Sequence, residues 1–247
     1  MSETRPIAKH ARQRRILAAL RASNDLWIPG MVTALDDVRH MHAEGLAERK
    51  AATAAAGTDP DALDRPLAPK RQQLAALAMS FVRPHMVVMM DGGATALDLA
   101  RRMASDAQSI TVITNNLPAA TLLSANPTIS VTFCPGHYHG DRGAVGGAET
   151  MTFLSRFRAN LAILGACGID AEGPSSGHAD VAMIKRAMLE RAEETVLVLD
   201  HTKFGSRHPN PVCPLADIDH LLCDTRPAAD LRAALAQADV DVRWLEV

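Results

Sequence analysis

Residues 86–100 read MVVMMDGGATALDLA, an apolar run that stops at two glycines and is followed by a helical pattern. The run 86–90 predicts a buried strand, and apolar residues recur at helical spacing in 95–104. A strand that breaks at glycines and turns into a helix leaves backbone N–H groups at a positive helix end, which suits a phosphate or a carboxylate. Gly92 and Gly93 can equally serve only to make a tight turn. On this loop alone both interpretations stay open.

The composition bounds the class of protein. Hydrophobic residues make up 47% of the 247 residues but aromatic residues only 3%, so the core is built mainly from aliphatic side chains and Met. The net charge of −2 gives the whole chain no preference for nucleic acid. Residues 1–55, however, carry nine Lys/Arg against six Asp/Glu, and the remainder is net negative. This imbalance is compatible with a small DNA-binding segment, or simply with a solvated helix face.

Targeting and redox signals are absent from the sequence. No apolar run is long enough to span a bilayer, and the first residues lack the apolar core of a secretory signal. The four cysteines show no CxxC spacing. We therefore expect a cytoplasmic protein with reduced cysteines, without a metal or another cofactor, and without a membrane partner.

The chain organisation indicates three parts. Residues 1–55 contain two helical patterns (9–22 and 32–44) and form a small helical segment, residues 56–69 read as a linker, and residues 70–247 form a larger domain. In that domain a helix around 74–81 is followed by alternating strands and helices. The predicted strands are 86–90, 110–114, 129–134, 161–165, 195–200, 218–223 and 240–245, and the predicted helices are 95–104, 117–125, 147–158, 179–193 and 228–238. This alternation predicts an α/β fold, a mostly parallel sheet with helices on both faces.

Two further loops follow the second and third strands. The side chains of Asn115 and Asn116 can cap the next helix, which is the favoured interpretation from the loop alone, or hydrogen-bond a ligand hydroxyl. The loop 134–141 contains His137, His139 and Asp141. A metal site is conceivable there, but most metal sites need more ligands, so a structural or solvated role is favoured.

The last two loops carry the other polar candidates. In 165–170, two glycines let the backbone approach a ligand, and Cys167 is better explained as a packed residue than as a nucleophile because it has no evident His or Asn partner. In 200–205, Asp200 and Lys203 can hold a sugar hydroxyl and a phosphate, or can pair with each other. Lys185, in a predicted helix, can point to the same edge of the sheet, although a helix lysine is usually solvated.

These loops together resemble a known family. The ordered series DGGAT (91–95), TNN (114–116), PG…GG, LGACGID (164–170), IKRAMLERA (184–192) and LDHTKFG (199–205) is similar to the sensor domain of the DeoR/GlpR family of bacterial transcriptional regulators. The resemblance covers about residues 70–226, and its last two motifs are the most specific. It implies a sheet related to ribose-phosphate isomerase and coenzyme A transferases, with a phosphorylated sugar as effector.

The resemblance also implies the effector-binding residues. They are Asp91, Gly92, Gly93, Ala94 and Thr95 in the phosphate loop, Asn115 and Asn116 along the sugar, Gly136, Gly165 and Gly168 shaping the pocket, and Lys185, Asp200 and Lys203 completing it. No residue is expected to be catalytic. The family often has residues with a hydroxyl group at the positions of Gly92 and Ala94. Binding of the phosphate is therefore expected to depend more on backbone N–H groups in this chain.

The N-terminal segment departs further from the family. A winged helix-turn-helix is implied, but Leu35 and Asp36 replace the paired arginines of its recognition helix, and its middle helix is reduced or lost. An aspartate there would be repelled by the duplex. The expected DNA-binding residues come from the alignment of this segment with the helix-turn-helix motif of the family and from its basic side chains. They are Arg12, Arg14, Arg15, Thr33, Arg39, Arg49 and Lys50.

Three functions follow from the sequence. The first is a DeoR-type regulator, in which a phosphorylated sugar modulates DNA binding by a homodimer or homotetramer. The second is a sugar-phosphate sensor that has lost DNA binding. The third is an isomerase or deaminase on the same fold, which would need a general base such as Asp91, Asp170 or Asp200.

Overall fold

The computed structural model describes residues 69–245, and the bounds of its elements follow the predicted alternation closely. The α-helices and strands are α1 Pro69–Met79, β1 Val87–Met90, α2 Ala94–Asp106, β2 Ile110–Thr114, α3 Leu117–Leu123, β3 Ile129–Phe133, β4 His137–His139, β5 Ala144–Gly146, α4 Ala148–Leu154, β6 Ala159–Leu164, β7 Gly168–Asp170, β8 Gly173–Ser176, α5 Ala179–Leu189, β9 Ala192–Leu199, β10 Asn210–Pro211, β11 His220–Cys223, α6 Ala229–Gln237 and β12 Asp241–Trp244.

The main sheet of the described chain has seven strands in the order β12-β11-β9-β6-β1-β2-β3. Every neighbouring pair is parallel. The chain runs outward from β1 to β3, returns to place β6 on the other side of β1, and then runs outward to β12. The order of strands therefore reverses between β1 and β6, and in open α/β sheets ligands bind outside the carboxyl ends of the strands at such a point.

The two faces of the sheet bury separate cores. In β1, Val88 and Met90 face a core that contains residues of α1, α2 and α3, whereas Met89 faces a second core with residues of α4, α5 and α6. Strands covered on both faces must be apolar at consecutive positions, which explains the uninterrupted run VVMM. The predicted α/β class, with helices on both faces of a mostly parallel sheet, is confirmed.

Three of the connections between predicted strands contain short strands that the sequence pattern did not indicate. Strands β4 and β5 form an antiparallel hairpin within 137–146, and β7, β8 and β10 form a small antiparallel sheet. These strands have two to four residues. Such lengths are too short to produce a recognisable alternation of polar and apolar residues.

Two predicted helices are too long. The helix predicted over 147–158 ends at Leu154, and the one over 179–193 ends at Leu189. In the second case Ala192 already pairs with Ala159 of β6, so pairing in the sheet overrides the helical propensity of the Glu- and Ala-rich stretch that follows Leu189.

Other expectations fall on parts of the chain that are not described. The helical segment 1–55 and its candidate DNA contacts, Arg12, Arg14, Arg15, Thr33, Arg39, Arg49 and Lys50, lie outside residues 69–245. Within 69–245, no helix has the length and apolar character needed to cross a membrane.

Candidate functional site

The polar loops singled out in the sequence meet at one edge of the sheet. Because the strands are parallel, the residues that follow β1, β2, β6 and β9 all lie at the carboxyl edge. The ends of β1 and β6 are in direct contact, since the backbone N–H of Gly165 donates to Oδ2 of Asp91 at 3.1 Å. The candidate site is therefore centred where the strand order reverses.

Asp91 and Lys185 form a buried ion pair at this centre. The Lys185 ammonium contacts the same Oδ2 atom of Asp91, and both side chains are about 97% buried. Burial lowers the pKa of Lys185 to about 7. The lysine is thus not solvated, as a helix lysine usually is. It connects α5 on one face of the sheet with the end of β1.

The first turn of α2 presents backbone N–H groups at the same edge. Gly93 precedes the helix with φ of 149°, a conformation that favours glycine, and no side chain caps the helix. In α3, by contrast, Oδ1 of Asn116 accepts from the Ala119 N–H at 2.9 Å. Because α2 extends over 13 residues and lacks a side-chain cap, the backbone N–H groups at its N-terminus can donate to a bound anion. Thr95 lies half-buried in this turn.

Gly92 allows the β4–β5 hairpin to approach the loop. A Cβ atom on Gly92 would lie 2.9 Å from the Cβ atom of Ala144 in β5, so any side chain at this position would displace the hairpin. This contact gives a structural reason why position 92 has glycine rather than a residue with a hydroxyl group. An anion bound there would be held by backbone N–H groups and by Thr95.

The two asparagines have different bonding. Nδ2 of Asn115 donates to the carbonyl of Val145 at 2.8 Å, and the Val145 N–H donates to the Asn115 carbonyl at 2.8 Å, so Asn115 holds the hairpin. Asn116 caps α3, as the favoured interpretation predicted. Both side chains are buried. Among the described residues Oδ1 of Asn115 and Nδ2 of Asn116 have no hydrogen-bond partner, and both atoms are buried.

In the hairpin, His139 and Arg142 both contact the carboxylate of Asp180 in α5. Nε2 of His139 lies 3.2 Å from one carboxylate oxygen of Asp180, and Nη1 of Arg142 lies 3.3 Å from the other. Burial would raise the pKa of Asp180, but Arg142 and the hydrogen bonds outweigh it and hold that pKa below its usual value. No group of three potential metal ligands occurs within 69–245. The favoured structural role of His139 agrees with this geometry.

The predicted pocket glycines do not share one role. A Cβ atom on Gly136 would meet the Thr150 hydroxyl and the Gly146 carbonyl, and one on Gly168 would meet the Ser206 carbonyl. These two glycines therefore permit close backbone packing. Only Gly165 has ordinary space around it, and it lines a pocket with Asp91.

Asp200 and Lys203 do not pair with each other. Oδ1 of Asp200 accepts from the Thr202 N–H at 2.9 Å and from the Thr202 hydroxyl, and it caps the short turn His201–Lys203. Within the described part of the chain, Lys203 has no carboxylate within ion-pair distance, so its ammonium is available to a ligand. Cys167 is half-buried, with Sγ 3.9 Å from Oγ of Ser176, which agrees with a packed residue.

Asp224 is a further acidic residue at this edge that was not among the residues predicted from the sequence. This buried carboxylate follows β11 at the same edge and accepts from the N–H of His201 at 2.6 Å, while its Oδ2 lies 2.7 Å from the His201 ring. Lys70 of α1 lies 3.9 Å from it. The signal was present, since Asp224 follows an apolar strand in the same way as Asp91 and Asp200 do.

Comparisons with known proteins show which family the chain resembles. The profile of the DeoR C-terminal sensor domain matches residues 68–225. The chain is 34% identical over 121 residues to the glycerol-3-phosphate regulon repressor of Haemophilus influenzae, covering 49% of this chain and 47% of that protein. It is 27% identical over 158 residues to the HTH-type transcriptional repressor GlcR of Bacillus subtilis, covering 64% of this chain and 60% of that protein. The matches thus span about half to three fifths of these two relatives.

Solved structures also resemble parts of the chain. Ribose 5-phosphate isomerase A from Neisseria gonorrhoeae matches with a TM-score of 0.42 and 15% identity, over 56% of this chain and 54% of that one. A likeness at this level carries no inference about activity.

Proposed function

Since the chain belongs to the family of the DeoR C-terminal sensor domain, we propose that it is a transcriptional repressor whose larger domain binds a phosphorylated sugar. The observation that carries this proposal is the N-terminus of α2, which has no side-chain cap and lies where the strand order reverses. A phosphate would accept from the backbone N–H groups of that turn. The names of the two relatives, both repressors, support the same function.

The remaining effector-binding residues are proposed on the same basis. Oδ1 of Asn115 and Nδ2 of Asn116 would bond to ligand hydroxyl groups, and Lys203 would neutralise the phosphate. The ion pair between Asp91 and Lys185 would hold the start of the loop 91–95 against α5. The proposed set is Asp91, Gly92, Gly93, Ala94, Thr95, Asn115, Asn116, Gly165, Lys185, Asp200 and Lys203, with Gly136 and Gly168 acting through packing.

A binding function, rather than catalysis, is favoured by the carboxylates at this edge. A general base must be free to accept a proton from the substrate. Asp91 is engaged by Lys185 and Gly165, Asp200 by Thr202, and Asp170 by Arg207, whose Nε lies 2.7 Å from Oδ2. Burial would raise the pKa of Asp170, but the hydrogen bonds from Arg207 and from the backbone of Glu172 and Gly173, together with the charge of Arg207, outweigh it, so that pKa lies below its usual value.

DNA binding by the N-terminal residues is the second half of the proposal. Effector binding would change the affinity for DNA, and by thermodynamic linkage DNA would change the affinity for the effector by the same factor. In a homodimer or homotetramer, the DNA-binding segments of two copies of the chain would bind the two half-sites of an operator. The replacement of the paired arginines by Leu35 and Asp36 favours one alternative, a sugar-phosphate sensor without a DNA-binding function.

Ligand binding is expected to stabilise the full-length chain. At a concentration one hundred times its dissociation constant, the effector should raise the free energy of unfolding by about 2.7 kcal/mol. Urea denaturation with a panel of pentose, hexose and glycerol phosphates measures this effect. Lys203→Ala should abolish the stabilisation, whereas Arg102→Ala, which removes an exposed cation further along α2, should leave it intact.

A mobility-shift titration separates the two halves of the proposal. The full-length chain is titrated against the DNA upstream of its own gene, with and without the stabilising compound. A shift that the compound reverses supports the regulator. Stabilisation without any shift at low salt supports the sensor that does not bind DNA, and turnover of the compound would contradict the binding function.

A further inference from the structure

The turn that carries Lys203 is held from a neighbouring strand. Leu199 of β9 pairs with Cys223 of β11, so the residues that follow these two strands leave the sheet side by side. Asp224, directly after β11, is almost completely buried. It accepts from the backbone N–H of His201, the first residue of the turn. The start of the turn is therefore attached to the end of β11.

Both carboxylate oxygens of Asp224 contact the same residue. Oδ1 accepts from the His201 N–H at 2.6 Å, and Oδ2 lies 2.7 Å from Nδ1 of the His201 ring. Because an ionised carboxylate only accepts hydrogen bonds, Nδ1 is the ring nitrogen that donates. One hydrogen bond fixes the backbone of His201 and the other fixes its side chain. Asp224 thus sets both the position and the orientation of the residue with which the turn begins.

The hydrogen bonds within the turn do not fix it relative to the sheet. They and the cap from Asp200 connect residues of one short segment, 200–204. A single 3₁₀ turn of this kind also has poorer hydrogen-bond geometry than an α-helix. Beyond the turn, the Gly205 N–H donates to the carbonyl of Ile169 in β7 at 2.8 Å. Lys203 therefore lies between two attachments, one to β11 and one to β7.

The contacts of Asp224 are concentrated on this turn. A buried carboxylate lowers stability unless it is hydrogen-bonded or paired. Within residues 69–245, His201 is the residue that donates hydrogen bonds to it. Nζ of Lys70 lies 3.9 Å from Oδ2, and about half of that side chain is exposed, so this ion pair is weak. The main effect of Asp224 is therefore to hold His201.

We propose that Asp224 is a positioning residue of the effector site. Through His201 it holds the turn so that the Lys203 ammonium faces the phosphate of the effector, and it does not contact the effector itself. This inference rests on the proposed function, in which Lys203 neutralises the phosphate. It adds that the affinity for the effector depends on the hydrogen bond between Nδ1 of His201 and a carboxylate at the end of β11.

Substitutions of His201 test this role, because its side chain is more than half exposed and its replacement leaves the core intact. The probes are glycerol 3-phosphate, ribose 5-phosphate and glucose 6-phosphate. His201→Ala should weaken binding of the tightest-binding probe about tenfold, as measured by calorimetry. It should also speed hydrogen exchange of the amides of residues 203 and 204, as measured by nuclear magnetic resonance. His201→Asn should restore both properties, since its Nδ2 can donate to Asp224 in place of Nδ1.

Lys70→Met is the matched control for these variants. It removes the other group beside the Asp224 carboxylate without changing the turn, so affinity and exchange should equal those of the wild-type chain. Unchanged affinity in His201→Ala, or equal weakening in Lys70→Met, would overturn the inference. Weakening that His201→Asn does not restore would also overturn it, because the ring would then act by contacting the effector. Failure of the wild-type chain to bind any of the three probes would instead contradict the proposed function.

Discussion

Replacement of Lys185 by methionine is expected to lower the free energy of unfolding by about 3–5 kcal/mol. Methionine has a similar length and is compatible with the apolar surroundings of α5, so little packing is lost. The cost arises because the buried Asp91 carboxylate loses the Lys185 ammonium. Its Oδ2 atom then keeps the hydrogen bond from the Gly165 N–H but has no cation beside it. Urea denaturation of the variant and of the wild-type chain, compared at the same pH, measures the effect.

Two further variants identify the cause of that loss. Lys203→Met removes a lysine from the same edge of the sheet that has no ion pair within 69–245, and it should change stability by less than about 0.5 kcal/mol. In the double variant Asp91→Asn/Lys185→Met the uncompensated charge is removed, while the asparagine oxygen can still accept from Gly165, so most of the loss should be recovered. If Lys185→Met costs no more than Lys203→Met, the buried ion pair is not a structural support of the site.

Gly168→Ala should also destabilise the protein strongly, by about 3 kcal/mol. The added Cβ atom would lie within 2.7 Å of the carbonyl carbon of Ser206, and a backbone atom cannot turn aside as the end of a flexible side chain can. The segment that would have to move is already held against β7, since the Gly205 N–H donates to the carbonyl of Ile169 at 2.8 Å. A displacement of Ser206 would therefore disturb this contact as well. Thermal and urea denaturation should show the loss.

Gly165→Ala is the matched control for this substitution. It adds the same atom three residues earlier, in the loop that precedes β7, where the nearest neighbours would be 4.0 Å away. Its cost should stay below about 1 kcal/mol. Equal losses for the two alanine variants would mean that close packing against Ser206 is not what requires glycine at position 168.

The sequence was sufficient for the features that depend on short stretches of chain. Each apolar run such as 86–90 marks its own strand, and in a parallel sheet the residues after every strand must meet at one edge. The polar loops that begin at Asp91, Asn115 and Asp200 could therefore be predicted to lie together without knowledge of the order of the strands.

Features that depend on contacts between distant residues were not predictable in this way. Nothing near Lys185 in the sequence indicates that its ammonium lies against Asp91, and nothing near Gly92 indicates that Ala144 occupies the space of a side chain.

The central claim is that a phosphorylated ligand binds at the start of α2, beside the asparagine side chains. Nuclear magnetic resonance measures this directly, by following amide signals of the full-length chain during titration with glycerol 3-phosphate. We expect saturable shifts of the backbone signals of 93–96 and of the Asn116 side-chain amide, and their loss in Lys203→Ala. Saturable shifts confined to other parts of the chain, or no shift at any of these amides, would contradict it.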